Sequence, residues 1–175
     1  PIGNLEDFSP RAERILREAA LIAAEDTRVT GKLLAHFKIS TPQSSYYEHN
    51  KLKKLDQILT ALESGDVALV SDAGTPGIND PGYELVRATL EAGHQVSPIP
   101  GPSSPIAALV ASGLPTNSFL YLGYLPRKRK ERRDFLATHE NAPHTLVFLE
   151  SPHRLLDALD DMEKELGDRE IAVAR

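Results

Sequence analysis

The stretch Val67-Ala68-Leu69-Val70-Ser71-Asp72-Ala73-Gly74-Thr75-Pro76-Gly77-Ile78-Asn79-Asp80-Pro81-Gly82 decides how this chain is read. Its first four residues are apolar and read as a buried strand. From Ser71 to Gly82 there are three Gly and two Pro, a density that excludes helix or strand interior. A helical pattern begins near Tyr83. A glycine-rich loop at the carboxyl end of a strand is where α/β proteins bind ligands, because missing Cβ atoms let backbone amides and carbonyls come close. The same composition also suits a long connecting loop. No Gly-Lys-Ser/Thr follows, so this is not a Walker loop, and the spacing is not Gly-x-Gly-x-x-Gly. Asp72 and Asp80 argue against a phosphate cradle, since both would repel the ligand.

Outward from this loop, helix and strand signals alternate. Ser9-Pro10 supplies an N-cap and a proline at the first helical position. Leu21 to Ala24 reads as a short buried strand ending in Glu25-Asp26-Thr27-Arg28. Leu33, Leu34 and Phe37 suggest a short helix, and Ser44 to Tyr47 a strand. Asn50 is read as the cap of a helix whose inward face carries Leu52, Leu55, Ile58, Leu59 and Leu62, with Gly65 as its stop. Gln95 to Ile99 is expected to be a strand leading into Pro100-Gly101-Pro102-Ser103-Ser104-Pro105, with a helix from Pro105 to Ser112. The character changes around Gly113-Leu114-Pro115-Thr116-Asn117. This predicts an N-terminal domain over 1–115 and a second over 116–175. In the second, Phe119 to Leu125 and Thr145 to Leu149 read as strands. A helix after Glu150-Ser151-Pro152-His153-Arg154 carries Leu155, Leu156, Leu159, Met162 and Leu166 on one face. The fold class is α/β: two α/β units, the second incomplete.

The 175 residues suffice for one large domain or two small ones. No apolar run approaches the roughly 20 residues of a membrane span, and cysteine is absent, which removes disulfides, thiolate nucleophiles and zinc ribbons. A cytoplasmic location fits best. The chain starts inside a turn-like segment, Pro1-Ile2-Gly3-Asn4, and ends on an apolar run, Ile171 to Ala174, that reads as a strand. Both ends read as cut from a longer protein. The formal net charge is −5, yet Arg127-Lys128-Arg129-Lys130-Glu131-Arg132-Arg133 holds six bases and one acid. One dense basic segment on an otherwise acidic chain suggests a local polyanion contact, with nucleic acid ahead of a merely solvated helix face. None of the six histidines shows metal-site spacing, and no metal is expected.

Six segments in order closely resemble the tetrapyrrole methylase superfamily. Within it, they resemble the bacterial branch that methylates a cytidine 2′-hydroxyl in small-subunit ribosomal RNA. They are Pro1-Ile2-Gly3-Asn4, Glu25-Asp26-Thr27-Arg28, Ser71 to Gly82, Pro100-Gly101-Pro102-Ser103, Glu150-Ser151-Pro152-His153-Arg154 and Val173-Ala174-Arg175. The resemblance implies two α/β domains with S-adenosylmethionine held in the cleft between them, usually in a homodimer. It implies cofactor contacts at Ile2, Asp72, Ala73, Gly74, Gly77, Ile78, Ser103, Ser104, Leu149 and Glu150. Ribosomal RNA or the small ribosomal subunit would be the substrate partner. This sequence departs from the family at both ends, where the first strand and part of the second domain are absent.

The implied chemistry is in-line attack of a ribose 2′-hydroxyl on a sulfonium methyl, which rests chiefly on alignment. Asp80, Glu25 and Glu150 are the candidate bases. Each has a local alternative: Asp80 capping the turn before Pro81, Glu25 pairing with Arg28. For substrate, Asn4 either orients the ribose or holds its turn. His49 in Tyr46-Tyr47-Glu48-His49-Asn50 either stacks on bases or packs its loop. Arg154 either contacts phosphate or pairs with an acid. Arg28 and the run Arg127, Lys128, Arg129, Lys130, Arg132 and Arg133 complete the candidate RNA contacts. Two other functions fit the same fold: carbon methylation of a tetrapyrrole, and a non-catalytic RNA-binding or ribosome-assembly module.

Overall fold

The computed structural model describes residues 1–175, the side chain of Lys51 excepted. The chain forms two compact units, Pro1–Ser103 and Ser104–Arg175. The division falls ahead of the Gly113–Asn117 segment. The reason is packing: helix α5 (Ser104–Ala111) lies against strand β5 (Thr145–Leu149) of the second unit.

In the first unit a short 3-10 turn, Leu5–Asp7, leads to α1 (Pro10–Glu18), β1 (Leu21–Ala24), α2 (Thr27–His36), β2 (Gln43–Ser45), α3 (Lys51–Leu62), β3 (Val67–Val70) and α4 (Tyr83–Glu91). The strands form a parallel sheet in the order β2-β1-β3. Strand alternation sends Ile22 and Ala24 to one face, where they meet Leu16, Leu34 and Ile39. Ala23 goes to the other, where it meets Tyr46, Ile58 and Leu85. The central strand is thus covered by helices on both sides, which is why Leu21 to Ala24 is apolar without alternation. Full burial of Ile22 and Ile58 contributes about 1.5–3 kcal/mol each. Ser9 caps α1 as read, its Oγ accepting from the Ala12 N–H at 3.1 Å.

The second unit runs α5, β4 (Phe119–Tyr124), α6 (Arg129–Ala137), β5 and α7 (Leu155–Leu166). β4 and β5 pair in parallel, with a register break between Tyr121 and Gly123. Gly123 takes φ +63° there, a left-handed value that a side-chain-free residue adopts without strain at a bulge. Leu125, Leu136 and Ala158 form the core, flanked by Phe135, Phe148, Met162 and Leu166.

Four local expectations are corrected. Gln95 to Ile99 and Ile171 to Ala174 are not strands. An apolar run becomes a strand only against a partner edge, and Pro98 removes a donor from the first. Asn50 does not cap α3 with its side chain. Its amide instead turns back, donating to the Ser45 carbonyl and accepting from the Tyr47 N–H. Leu52 and Leu156 point to solvent, and the inward face of α7 carries buried Ala158 and Asp161 beside the expected Met162 and Leu166. Among the described residues no helix is long and apolar enough to cross a membrane.

Candidate active site

The carboxyl ends of β1 and β3 are neighbours, with Ala24 opposite Val70, so the two loops that leave them emerge side by side. Glu25 and Asp72 lock these loops reciprocally. The Asp72 N–H donates to Glu25 Oε2 at 3.1 Å, and the Asp26 N–H donates to Asp72 Oδ1 at 3.1 Å. Both bonds put a carboxylate on a backbone donor beyond the last strand pair, so the sheet is continued by side chains.

This places four acids in one small region. Burial pushes the Glu25 carboxyl above its ordinary value; the Asp72 N–H opposes this, and the charges of Asp80, Asp72 and Asp26 add to the rise. Burial also raises Asp80, with Ser71 opposing and Asp72 reinforcing. Asp26 goes the other way, down to about 2, because the Arg28 side chain and backbone N–H donate to it. Arg28 therefore pairs with Asp26 at 2.6 Å, not with Glu25. Glu25, Asp72 and Asp80 form no ion pair among the described residues, Arg28 reaching Asp72 only through its longer-range charge, so the region favours a positively charged or hydroxyl-rich guest.

The Gly-rich loop meets two other segments at Gly74. The Gly74 N–H donates to the Pro1 carbonyl at 3.2 Å, and Thr75 Oγ1 donates to the Pro102 carbonyl at 3.3 Å. Ser71, buried, donates to the Ala73 and Gly74 carbonyls from inside the loop. Gly74 adopts φ +80°, and a Cβ there would sit 3.3 Å from the Pro102 oxygen and 3.4 Å from Ile2 Cγ2. Only glycine allows this three-way approach. At Gly77, φ +85°, a Cβ would meet nothing within 4 Å, so open space lies beside the loop. Ile2 and Ile78 are exposed at its margin, as are Asp72 and Ala73. Ser103 ends this unit half-buried after Pro102, while Ser104 opens α5 in the second unit, exposed.

The whole chain, residues 1–175, matches the family model of the Tetrapyrrole (Corrin/Porphyrin) Methylases. The chain belongs to the tetrapyrrole methylase family. It is 53% identical over 176 residues to the ribosomal RNA small subunit methyltransferase I of Halalkalibacterium halodurans, covering 100% of this chain and 61% of that protein. It is 52% identical over 177 residues to the protein of the same name from Escherichia coli O157:H7, covering 100% of this chain and 62% of that protein. The chain thus spans about three fifths of the length of these relatives. Among solved structures, the methyltransferase CobJ superposes with TM-score 0.65 at 19% identity, covering 93% of this chain and 72% of that one. Uroporphyrin-III C-methyl transferase from Thermus thermophilus, complexed with S-adenyl homocysteine, gives TM-score 0.60 at 22% identity, covering 94% and 72%. These two likenesses carry the methylase fold.

In the second unit the remaining expected residues are distributed differently. Leu149 ends β5, half-buried. Glu150 Oε1 accepts from the Ser151 N–H at 2.7 Å, and its Oε2 lies 3.0 Å from Arg154 Nη2 with the carboxylate 6% exposed. Arg154 Nη2 also donates to the Leu125 and Pro126 carbonyls at 2.9 and 3.0 Å. Of the two readings for Arg154, the ion pair is the one formed. Asn4 accepts from the Glu6 N–H at 3.0 Å and holds its turn. His49 is exposed, edge-on to Tyr47 with ring centroids 6.3 Å apart.

The basic run divides. Arg132 is 4% exposed, and its Nε and Nη2 donate to Asp161 Oδ2 at 2.9 and 2.7 Å. It is a core residue, which corrects its expected role as a surface RNA contact. Arg129 reaches Asp161 Oδ1 at 3.1 Å, and Arg133 reaches Glu165 at 2.5 Å. Lys128 pairs with Glu131 at 2.8 Å on the surface. Sequence reasoning missed Asp161. Its signal was a lone acid on the apolar stripe of α7, three residues after Ala158, in a chain with a dense basic run to answer it.

Proposed function

We propose that this chain is the cofactor-binding part of an S-adenosylmethionine-dependent enzyme that methylates the 2′-hydroxyl of a cytidine in small-subunit ribosomal RNA. The reading extends to a homodimer working in the cytoplasm. One observation carries it: acids with no cation of their own stand beside a glycine-gated opening at the strand ends of a methylase fold. S-adenosylmethionine supplies an electrophilic methyl on a sulfonium when bound. Its positive charge and ribose hydroxyls match the carboxylate acceptors here, which would repel a nucleotide phosphate.

Each residue then has a defined task. Gly74 keeps Pro1-Ile2 and Pro102 against the loop, and Gly77 leaves ligand space open. Ile2 and Ile78 offer apolar cover. The field of Asp72, Glu25 and Asp80 favours a cation. Among the candidate bases, Glu150 is committed to Arg154 and the Ser151 N–H. Glu25 and Asp80, with their raised proton affinity, are the better placed to take up the ribose proton on a carboxylate oxygen. Alignment of hydroxyl and methyl remains the larger factor. The RNA would be met by exposed cations of the second unit, with Arg28 and His49 as further candidates.

The test is methyl incorporation by the full-length protein into small ribosomal subunits and, in parallel, into a tetrapyrrole. Transfer to a ribose is expected, leaving the product resistant to alkaline cleavage at one cytidine because the 2′-hydroxyl is blocked. Transfer to the tetrapyrrole alone would replace this reading with the carbon methyltransferase. No transfer to either, with RNA still bound, would favour the non-catalytic module.

A further inference from the structure

Six cations in seven residues repel one another, and such a segment adopts one conformation only if something else holds it. At the start of α6 three sets of bonds do so. Arg154, from the start of α7, donates to the carbonyls of Leu125 and Pro126. Arg132 Nη1 reaches the next carbonyl, that of Arg127, at 3.4 Å. Three consecutive carbonyls just ahead of α6 are therefore held by guanidinium groups. Asp161, fully buried, then takes Arg132 on one oxygen and Arg129 on the other. Glu165, one turn further along α7, takes Arg133.

Arg129, Arg132 and Arg133 are spaced i, i+3, i+4 and so share one face of α6. That face is turned to the acids of α7. Arg127 and Lys130 are exposed and, among the described residues, make no side-chain ion pair. Lys128 is 80% exposed, and its surface pair with Glu131 is of the kind that contributes little and exchanges readily.

We infer that the basic run is two devices: Arg129, Arg132 and Arg133 bind α7 and fix the segment, whereas Arg127, Lys128 and Lys130 are exposed cations held in advance to contact the phosphate backbone of RNA. The inference rests on the ribosomal RNA reading above and assigns its phosphate contacts. Charge complementarity selects the partner: exposed cations, of which only Lys128 has a surface partner, on an otherwise acidic chain match a polyanion. Holding them in advance also lowers the ordering cost of binding.

The experiment measures binding of full-length protein to a small-subunit RNA fragment over a series of salt concentrations. Wild type is compared with the double variant Arg127→Gln/Lys130→Gln and with Arg133→Gln, each checked for a single cooperative unfolding transition and unchanged S-adenosylmethionine affinity. Each lost phosphate contact on single-stranded RNA flattens the slope of log K against log salt by roughly 0.7. The double variant is expected to flatten it by about one to two units, and Arg133→Gln to leave it unchanged. Equal flattening by Arg133→Gln, or none in the double variant while wild type binds with a steep slope, would overturn the division. If wild type shows no salt-dependent RNA binding, the RNA reading falls and this inference with it.

Discussion

Two sets of carboxylates in this molecule have opposite environments. At the strand ends of the first unit, Glu25, Asp72 and Asp80 crowd together beside Asp26, which alone forms an ion pair with Arg28, and burial raises Glu25 and Asp80. In the second unit Asp161 is fully buried, yet Arg132 and Arg129 outweigh that burial and hold it below its ordinary value. A folded protein tolerates an uncompensated acid cluster only at a cost in stability, so such clusters mark places kept for binding or chemistry. A compensated buried acid holds its surroundings together and serves structure. The contrast sets the Gly-rich loop region apart from the core of the second unit.

The largest effect should come from breaking the compensated set. Asp161→Asn keeps shape but leaves Arg132 buried without its counter-charge, and should cost about 3–5 kcal/mol in urea unfolding. Replacing both partners, Arg132→Met with Asp161→Leu, should recover most of that loss, because the penalty is the orphaned charge. Since Asp161 is depressed in the folded state, its contribution is present above the ordinary carboxylate range and is lost as pH falls through its folded value. A loss below about 1 kcal/mol for Asp161→Asn would make the comparison empty.

The uncompensated set should respond with the opposite sign and less strongly. Glu25 and Asp80 hold their protons more tightly folded than unfolded, so their ionisation opposes folding as pH rises past their raised values. Glu25→Gln and Asp80→Asn should therefore stabilise the protein modestly at neutral pH. The gain should fade below the ordinary carboxylate range, where the wild-type acids are protonated in both states. Thermal unfolding from about pH 3 to about pH 8, a span that starts below the ordinary carboxylate range, reads this directly. Destabilisation at neutral pH by both variants would mean that these acids serve the scaffold.

Part of this contrast is legible in the amino-acid sequence itself. The alternation of helix and strand signals, the cap at Ser9 and the strand ahead of the Gly-rich loop all follow from local pattern, and local pattern is what sets them. What the pattern misjudges depends on distant partners. Gln95 to Ile99 has strand-like residues but no edge to join. Leu156 has helical spacing but faces solvent, because the inward turn belongs to Asp161. Arg132 reads as surface charge until a buried acid 29 residues later takes it inside. At the site, the motif acids are legible as residues, but their mutual arrangement is not: the Glu25–Asp72 exchange depends on strand register. Pro1 and Pro102 lie in segments that stand out in the sequence, but the meeting of their carbonyls with Gly74 and Thr75 does not.

The acid region beside the glycine-rich loop of the first unit is the proposed S-adenosylmethionine site. Calorimetric titration of that cofactor into full-length wild type and Gly74→Val tests it most directly. A side chain at φ +80° costs on the order of 1–3 kcal/mol and presses on Pro102 and Ile2, opening the three-way approach. Wild type is expected to bind, and Gly74→Val, still unfolding in one cooperative transition at a lower temperature, to give no measurable binding heat. A folded Gly74→Val protein with wild-type affinity would contradict this assignment.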